Sequence, residues 1–360
     1  MGHTRVNFNS FHSGMHVITA VQCHAMSQLA AQRAEERADL FSQQLRLFAR
    51  REMPAGRHRL QAPYVEAALE SVARQGGLEN RANSGQLPAT TPGLGAGYWL
   101  LPTHSKEQTM NKIAVVTGAS RGLGRNTALH IARKGDDVIV TYQRQEAEAQ
   151  TVVDEIRALG RKAVALRLDV GDVAGFPLFA EHLRAALAQH WGRAHFDHLV
   201  NNAGHGDMAL IEDTTEAQFD RLVDVHFKGV FFLTQALLPL LADGGRIVNL
   251  STGLTRVSYP GFGAYAAVKG AVEILSVYLA RELGSRGIAV NTVAPGAIET
   301  DFLGGAVRDM PDLNGAFAGM TALGRVGVPD DIGPMIASLL GEENRWINGQ
   351  RIEVSGGQTI

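Results

Sequence analysis

From Asn111 onward the chain alternates short β-branched runs with longer segments of helical spacing. Ile113 to Thr117, Asp137 to Tyr142, Ala163 to Leu168, His198 to Asn201, Arg246 to Leu250 and Ala289 to Val293 read as strands. A helix-length connection after each strand cannot close a hairpin, so the pattern predicts a parallel sheet. Right-handed crossovers then place helices on both faces, and the expected fold is α/β, a Rossmann-like doubly wound parallel sheet. Ligands of such sheets bind outside the carboxyl ends of the strands, so residues at those ends carry the functional weight.

The first 109 residues lack this alternation. Turn formers cluster at Gly76-Gly77, Ser84-Gly85 and Ala89 to Gly93, as expected of a poorly ordered arm. Within it, Ser27 to Arg51 has helical spacing through Leu29, Leu40, Leu45 and Phe48, and reads as an isolated amphipathic helix. The arm is rich in arginine, has a single lysine and ends in Lys106-Glu107 shortly before Met110. Lys-Glu can be encoded by AAGGAG, a bacterial ribosome-binding sequence. The expectation is that Met110 is the natural start and residues 1–109 are translated upstream sequence; a targeting or interaction arm is the alternative. Residues 110–360 are expected to form one domain.

Of the 360 residues, 45% are hydrophobic and 19% charged, and the formal net charge is -2. These values describe a soluble globular protein without the basic footprint of a nucleic-acid or anionic-membrane binder. The one cysteine, Cys23, excludes an intramolecular disulfide and a cysteine zinc site, and fits a reducing, cytoplasmic setting. The apolar run Val230 to Leu241 is bounded by Lys228 and Asp243 and falls well short of the roughly 20 residues needed to span a bilayer. It reads as a buried helix or a subunit contact. Met15 to Met26 is broken by His16, Gln22 and His24 and does not read as a signal peptide. His182, His190, His195 and His198 make no compact ligand pattern, so no metal is expected.

Three motifs carry the chemistry. Thr117-Gly118-Ala119-Ser120-Arg121-Gly122-Leu123-Gly124 lies between the first strand and a helix expected to begin near Leu123. Glycines there let the chain turn sharply and bring backbone N–H groups to a pyrophosphate at the helix N-terminus. Asn201-Asn202-Ala203-Gly204 follows the fourth strand. Tyr265 and Lys269 stand four apart on a helix predicted over Gly263 to Ser285, and so project from one face. A nearby ammonium favours an ionised phenol, which would bring Tyr265 from about 10 toward neutrality, as a general acid/base requires.

In this order and at these separations the motifs resemble the short-chain dehydrogenase/reductases, over essentially all of residues 110–360. The resemblance implies that Tyr265 protonates a substrate carbonyl oxygen, while Lys269 lowers the tyrosine pKa and binds the nicotinamide ribose. The family places a serine thirteen residues before the tyrosine; here that position is Thr252, whose hydroxyl can still donate, with Ser251 as fallback. Where the family usually has an asparagine supporting a proton relay at a helix kink, this chain has His226. An imidazole titrating near 6.5 could take over the relay, or the relay could be damaged.

No acid closes the second strand, whereas Arg144 lies just beyond it and Arg121 sits in the glycine turn. Guanidinium suits a 2′-phosphate, so NADP(H) is expected over NAD(H). By resemblance, Gly118, Ser120, Arg121, Gly122, Leu123 and Gly124 hold the pyrophosphate side. Asp169 meets the adenine amino group, Asn201 and Gly204 line the adenosine side, and Pro295, Gly296, Ile298 and Thr300 cover the carboxamide. The expected activity is hydride transfer between NADP(H) and a small-molecule carbonyl or alcohol; an NADP-binding regulator or scaffold with lost turnover is the alternative. A substrate lid is expected over Gly304 to Leu323, with Met310, Pro311, Phe317 and Met320. Helices around Phe227 to Leu240 and Tyr265 to Leu283 are expected to pair across subunits in a homodimer or homotetramer.

Overall fold

The computed structural model describes residues 111–360. The expectations for the arm, its helix over Ser27 to Arg51 and the start at Met110 lie outside the described residues. Seven strands form one parallel sheet: β1 (Ile113–Val116), β2 (Asp137–Tyr142), β3 (Ala163–Arg167), β4 (Phe196–Asn201), β5 (Leu241–Leu250), β6 (Ala289–Pro295) and β7 (Arg351–Val354). Their order is β3-β2-β1-β4-β5-β6-β7, so the direction of winding reverses between β1 and β4. A crevice opens at such a reversal, outside the carboxyl ends of the strands.

The helices that frame it are α1 (Gly122–Arg133), α2 (Glu146–Ala158), α3 (Phe176–Trp191), α4 (Glu216–Val223), α5 (Gly229–Leu237), α6 (Gly263–Glu282), α7 (Ala306–Asp309), α8 (Pro311–Gly319) and α9 (Pro329–Leu339). Every residue of β1 is fully buried because its two faces serve two cores. Ala114 and Val116 pack with Ile131 of α1 and Ile336 of α9, whereas Ile113 and Val115 pack with Leu183 of α3 and Leu237 of α5. Burial of each such branched side chain contributes about 1.5–3 kcal/mol, and the period of two along the strand splits that gain between the layers.

The six expected strands are present, β2 with the expected ends and the others with one or both ends shifted. β5 starts five residues early, at Leu241, and its pairing with β4 slips at an irregularity between Phe196 and His198. Edge strand β7 was not anticipated. The run from Val230 forms α5 and then a short turn before β5; Val230, Leu233 and Leu237 are buried, but Phe231 and Phe232 are exposed.

Helix α6 ends at Glu282, and a short 3₁₀ turn, Gly284–Arg286, follows. Among the described residues it is the helix long and apolar enough to cross a membrane, with a mean hydropathy of 1.2. Its composition has another origin. Tyr265, Val268, Lys269 and Val272 face inward, while Ile274, Val277 and Tyr278 form a second, exposed apolar face.

Candidate active site

At the carboxyl ends of the strands lies a cleft of about 750 Å³, within the roughly 300–1,000 Å³ range of small-molecule sites. Its floor begins with the glycine turn. Gly118 and Gly122 have φ of +62° and +56°, the left-handed region that a side chain disfavours. A Cβ on Gly118 would stand 2.9 Å from the Ala203 backbone, and one on Gly124 would strike the Gly118 carbonyl. Thr117 Oγ1 accepts hydrogen bonds from the N–H groups of Asn202 and Ala203, both at 2.9 Å, which ties this turn to the end of β4. Helix α1 starts at Gly122 with no acid in its first turn. Side-chain-free backbone and an uncompensated helix N-terminus fit a dinucleotide pyrophosphate.

Gly118, Ser120, Arg121, Gly122, Leu123, Gly124, Arg144, Asp169 and Gly204 all line the cleft, as do Pro295, Gly296, Ile298 and Thr300. Asp169 is oriented by Gln143, which donates to it at 2.8 Å, and by the Gly171 N–H at 2.9 Å. Asn201 does not line the cleft. It is the last residue of β4 and its amide enters the core, donating to Asn249 at 2.8 Å and Thr234 at 3.2 Å. Asn202, Ala203 and Gly204 form that wall instead.

On the far side α6 presents Tyr265 and Lys269, both buried. Lys269 Nζ donates to the Leu250 carbonyl at 2.7 Å and lies 5.9 Å from the centre of the tyrosine ring. The expected lowering of the phenol pKa is not what this geometry produces. Burial pushes Tyr265 up from its ordinary value and pushes Lys269 down to about 8, because the enclosed site disfavours both charges. Thr252 has extended backbone at the end of β5, and its Oγ1 accepts from the Leu254 N–H at 3.3 Å. Ser251, the fallback, commits its hydroxyl to Glu273 at 2.6 Å.

His226 lies in a π-helical turn, Asp224–Lys228, between α4 and α5. Such a turn carries one extra residue and swings a side chain toward the interior. The ring is 1% exposed and meets the Tyr265 ring edge-on, 5.3 Å between centres. Its Nε2 lies 2.7 Å from the His205 carbonyl oxygen, which makes Nε2 the protonated nitrogen and Nδ1 a bare acceptor. The expectation that this imidazole titrates near 6.5 is corrected. Burial, reinforced by the Lys269 and His205 charges, holds its pKa well below that value and keeps it neutral.

Lining residues that escaped sequence reasoning include His205, Gly206, Phe302 and Leu303. The Phe302 ring stands 5.7 Å from the Tyr265 ring, and a Cβ on Gly206 would meet Phe302 Cζ and Leu303 Cδ2 at 2.6 Å. From this segment the cleft is lined by Asp301 to Gly304, at and before the start of the expected lid, whereas Met310, Pro311, Phe317 and Met320 do not line it. Leu303, Gly304 and Gly305 have φ of 51°, 71° and 85°, a left-handed run that reverses the chain over the cleft. Among the described residues no three His, Cys, Asp or Glu side chains gather as a metal site.

Residues 118–359 match the enoyl-(acyl carrier protein) reductase family. The chain is 40% identical over 246 residues to an uncharacterized oxidoreductase of Methylorubrum extorquens, covering 68% of this chain and 97% of that protein. It is 38% identical over 258 residues to the hydroxynaphthalene reductase-like protein Arp2 of Metarhizium brunneum, covering 68% and 94%. The crystal structure of the angucycline C-6 ketoreductase LanV with bound NADP superimposes with a TM-score of 0.66 at 37% identity, covering 69% of this chain and 96% of the other.

Proposed function

Because this chain belongs to the short-chain dehydrogenase/reductase family, we propose that Tyr265, Lys269, Thr252 and His226 serve one reaction, the interconversion of a carbonyl and an alcohol. The protein is an NADP(H)-dependent oxidoreductase, as its likeness to the NADP-bound ketoreductase supports. When bound, NADPH supplies the hydride. In the direction of reduction Tyr265 donates its phenolic proton to the substrate oxygen, and the Thr252 hydroxyl hydrogen-bonds the same oxygen as negative charge develops there. Lys269 sits behind the phenol with a pKa of about 8, close enough to neutrality to return a proton to the tyrosine. His226 acts as a fixed acceptor through Nδ1 while its Nε2–H holds the His205 loop.

Arg121 and Arg144 receive the 2′-phosphate. Both line the cleft, Arg144 just beyond the end of β2 and Arg121 in the glycine turn, where its Nη1 lies 3.9 Å from Asp301. A polycyclic aromatic ketone is the proposed substrate, of the kind implied by the names of the hydroxynaphthalene and angucycline reductases. His205, Phe302 and Leu303 offer flat and apolar surface beside the Tyr265 ring. Phe231 and Phe232 on α5 and Ile274, Val277 and Tyr278 on α6 are exposed, and we assign these faces to a homodimer or homotetramer in a cytoplasmic setting. Sedimentation of the purified protein tests that assembly; a monomer at micromolar concentration refutes it.

The buried Tyr265–Lys269 pair, lining one cleft with Thr252, carries the reading. A panel of aromatic and aliphatic ketones with NADPH, run beside Tyr265→Phe, tests it. Oxidation of NADPH that falls by about 10²–10⁴-fold in the variant is expected. Tight NADPH binding without Tyr265-dependent turnover would mark a regulator instead.

A further inference from the structure

The Thr252 loop is braced from behind by charged side chains outside the reacting set. Glu273 stands two turns beyond Tyr265 on α6, and a single carboxylate oxygen of it accepts three hydrogen bonds. These come from Ser251 Oγ at 2.6 Å, Thr255 Oγ1 at 2.8 Å and Arg351 Nε at 2.8 Å. Arg351 belongs to β7, the last strand. Its Nη2 donates to the Thr252 carbonyl at 3.3 Å and to Thr255 Oγ1 at 3.0 Å; the Thr252 carbonyl also lies 3.0 Å from Thr255 Oγ1, whose one proton goes to the shorter, charge-assisted bond with Glu273. Both partners are largely shielded, with side chains 17% and 26% exposed. A second bridge extends the brace: Arg351 Nη1 meets Glu353 at 3.1 Å, and Arg256 Nε donates to Glu353 at 2.8 Å.

This network joins three parts of the chain that share no backbone hydrogen bonds at that point: the helix bearing Tyr265, the loop bearing Thr252, and the edge strand. Thr252 is the last extended residue before a 3₁₀ turn, and the local backbone holds its hydroxyl through one long bond, the Leu254 N–H at 3.3 Å. Its carbonyl accepts from Arg351 Nη2, and Glu273 holds both Arg351, through Nε, and the neighbouring Thr255 hydroxyl. Charge-assisted bonds of this kind are about twice as strong as neutral ones and are directional, which suits them to holding a side chain in register.

We propose that Glu273 and Arg351 are positioning residues that hold the Thr252 hydroxyl against the Tyr265 phenol. This rests on the reductase reading above. Neither residue lines the cleft, so the effect falls on turnover rather than on NADPH binding. Misplacing a reacting group by about 1 Å costs on the order of 10²-fold.

The test compares wild type with Glu273→Ala, Glu273→Gln and Arg351→Lys in the full chain, by steady-state kinetics, NADPH binding and amide hydrogen exchange. Glu273→Ala is expected to lower kcat about 10–100-fold, leave the NADPH dissociation constant within threefold, and raise exchange over residues 252–257. Glu273→Gln keeps an oxygen for both hydroxyls and is expected to recover at least a third of the lost kcat. A structural role alone would lower NADPH affinity and thermal stability together with kcat and show no such recovery, and that result overturns the proposal. Unchanged exchange over residues 252–257 also overturns it, whether or not any ketone is reduced. If wild type reduces no ketone, the reductase reading fails separately and the exchange data still decide whether the brace exists. Arg351→Lys keeps the charge but not the fork, and guards against misfolding of the alanine variant; it too must raise exchange over 252–257, and normal exchange there counts against the proposal.

Discussion

His226 Nε2 and the His205 carbonyl oxygen stand 2.7 Å apart, so the imidazole of the π-helical turn fastens the loop that follows β4. The bond ties the substrate wall to the helix on which the family expects an asparagine. It also fixes the tautomer, leaving Nδ1 as a bare acceptor beside Gly204.

His226→Asn is therefore expected to lower turnover by about tenfold, the loss of one well-made hydrogen bond of about 1.4 kcal/mol. The shorter amide cannot reach the His205 carbonyl without moving the loop inward. Since burial and Lys269 keep His226 neutral well below its ordinary pKa, the profile of kcat between pH 6 and 8 should keep its shape in the variant. A gain in turnover, or the loss of an inflection near pH 6–7, would refute this account.

Arg144→Ala tests the phosphate side. The exposed guanidinium would make one charge-assisted contact with the phosphate, and its loss should raise KM for NADPH about 10–100-fold. KM for NADH should change less than threefold. Equal changes for the two cofactors would remove Arg144 from 2′-phosphate recognition.

Gly204→Ala tests the wall between cofactor and histidine. The added Cβ would stand 2.6 Å from His226 Cε1, a ring held on its other side by Tyr265. Overpacking there should cost about 1–3 kcal/mol in denaturant unfolding and weaken NADPH binding. A variant as stable as wild type, with unaltered NADPH binding, would show that the ring has room to move.

Asp136 provides a pH test far from the cleft. Burial raises its pKa from 3.8 to about 6, and its carboxylate lies 4.0 Å from His198 Nε2 on β4. The folded state thus holds this proton more tightly than the unfolded chain, and the stability linked to it is lost as pH rises from about 4 through about 6. Asp136→Asn keeps a neutral group at every pH. Its Tm relative to wild type should climb between pH 4 and 6 and stay level above; a difference independent of pH would contradict the assignment.

The layered sheet was legible because strands buried on both faces are largely apolar: β1 is entirely so, and β2 and β6 are mostly so. Strand β7 was not, because Arg-Ile-Glu-Val at a half-buried edge looks like any polar turn, and its arginine is there to meet Glu273. The glycine turn and the Tyr265–Lys269 spacing are local patterns and could be read directly. Asn201 misled because the strand continues one residue into the motif, and alternation sends that amide into the core. His205, Phe302 and Leu303 lie in irregular segments nearly a hundred residues apart, where only the folded topology brings them together. The charge state of His226 depends on enclosure, which residue order does not encode.

The side chains set beside the Tyr265 ring hang from connections past the strand ends, whereas the phenol and lysine are anchored on a helix packed against the sheet. Acceptance of one ketone over another is thereby uncoupled from the machinery that reduces it. A lineage, or a library varied at residues 205–208 and 302–304, can trade substrates without disturbing the hydrophobic layers that make the chain fold.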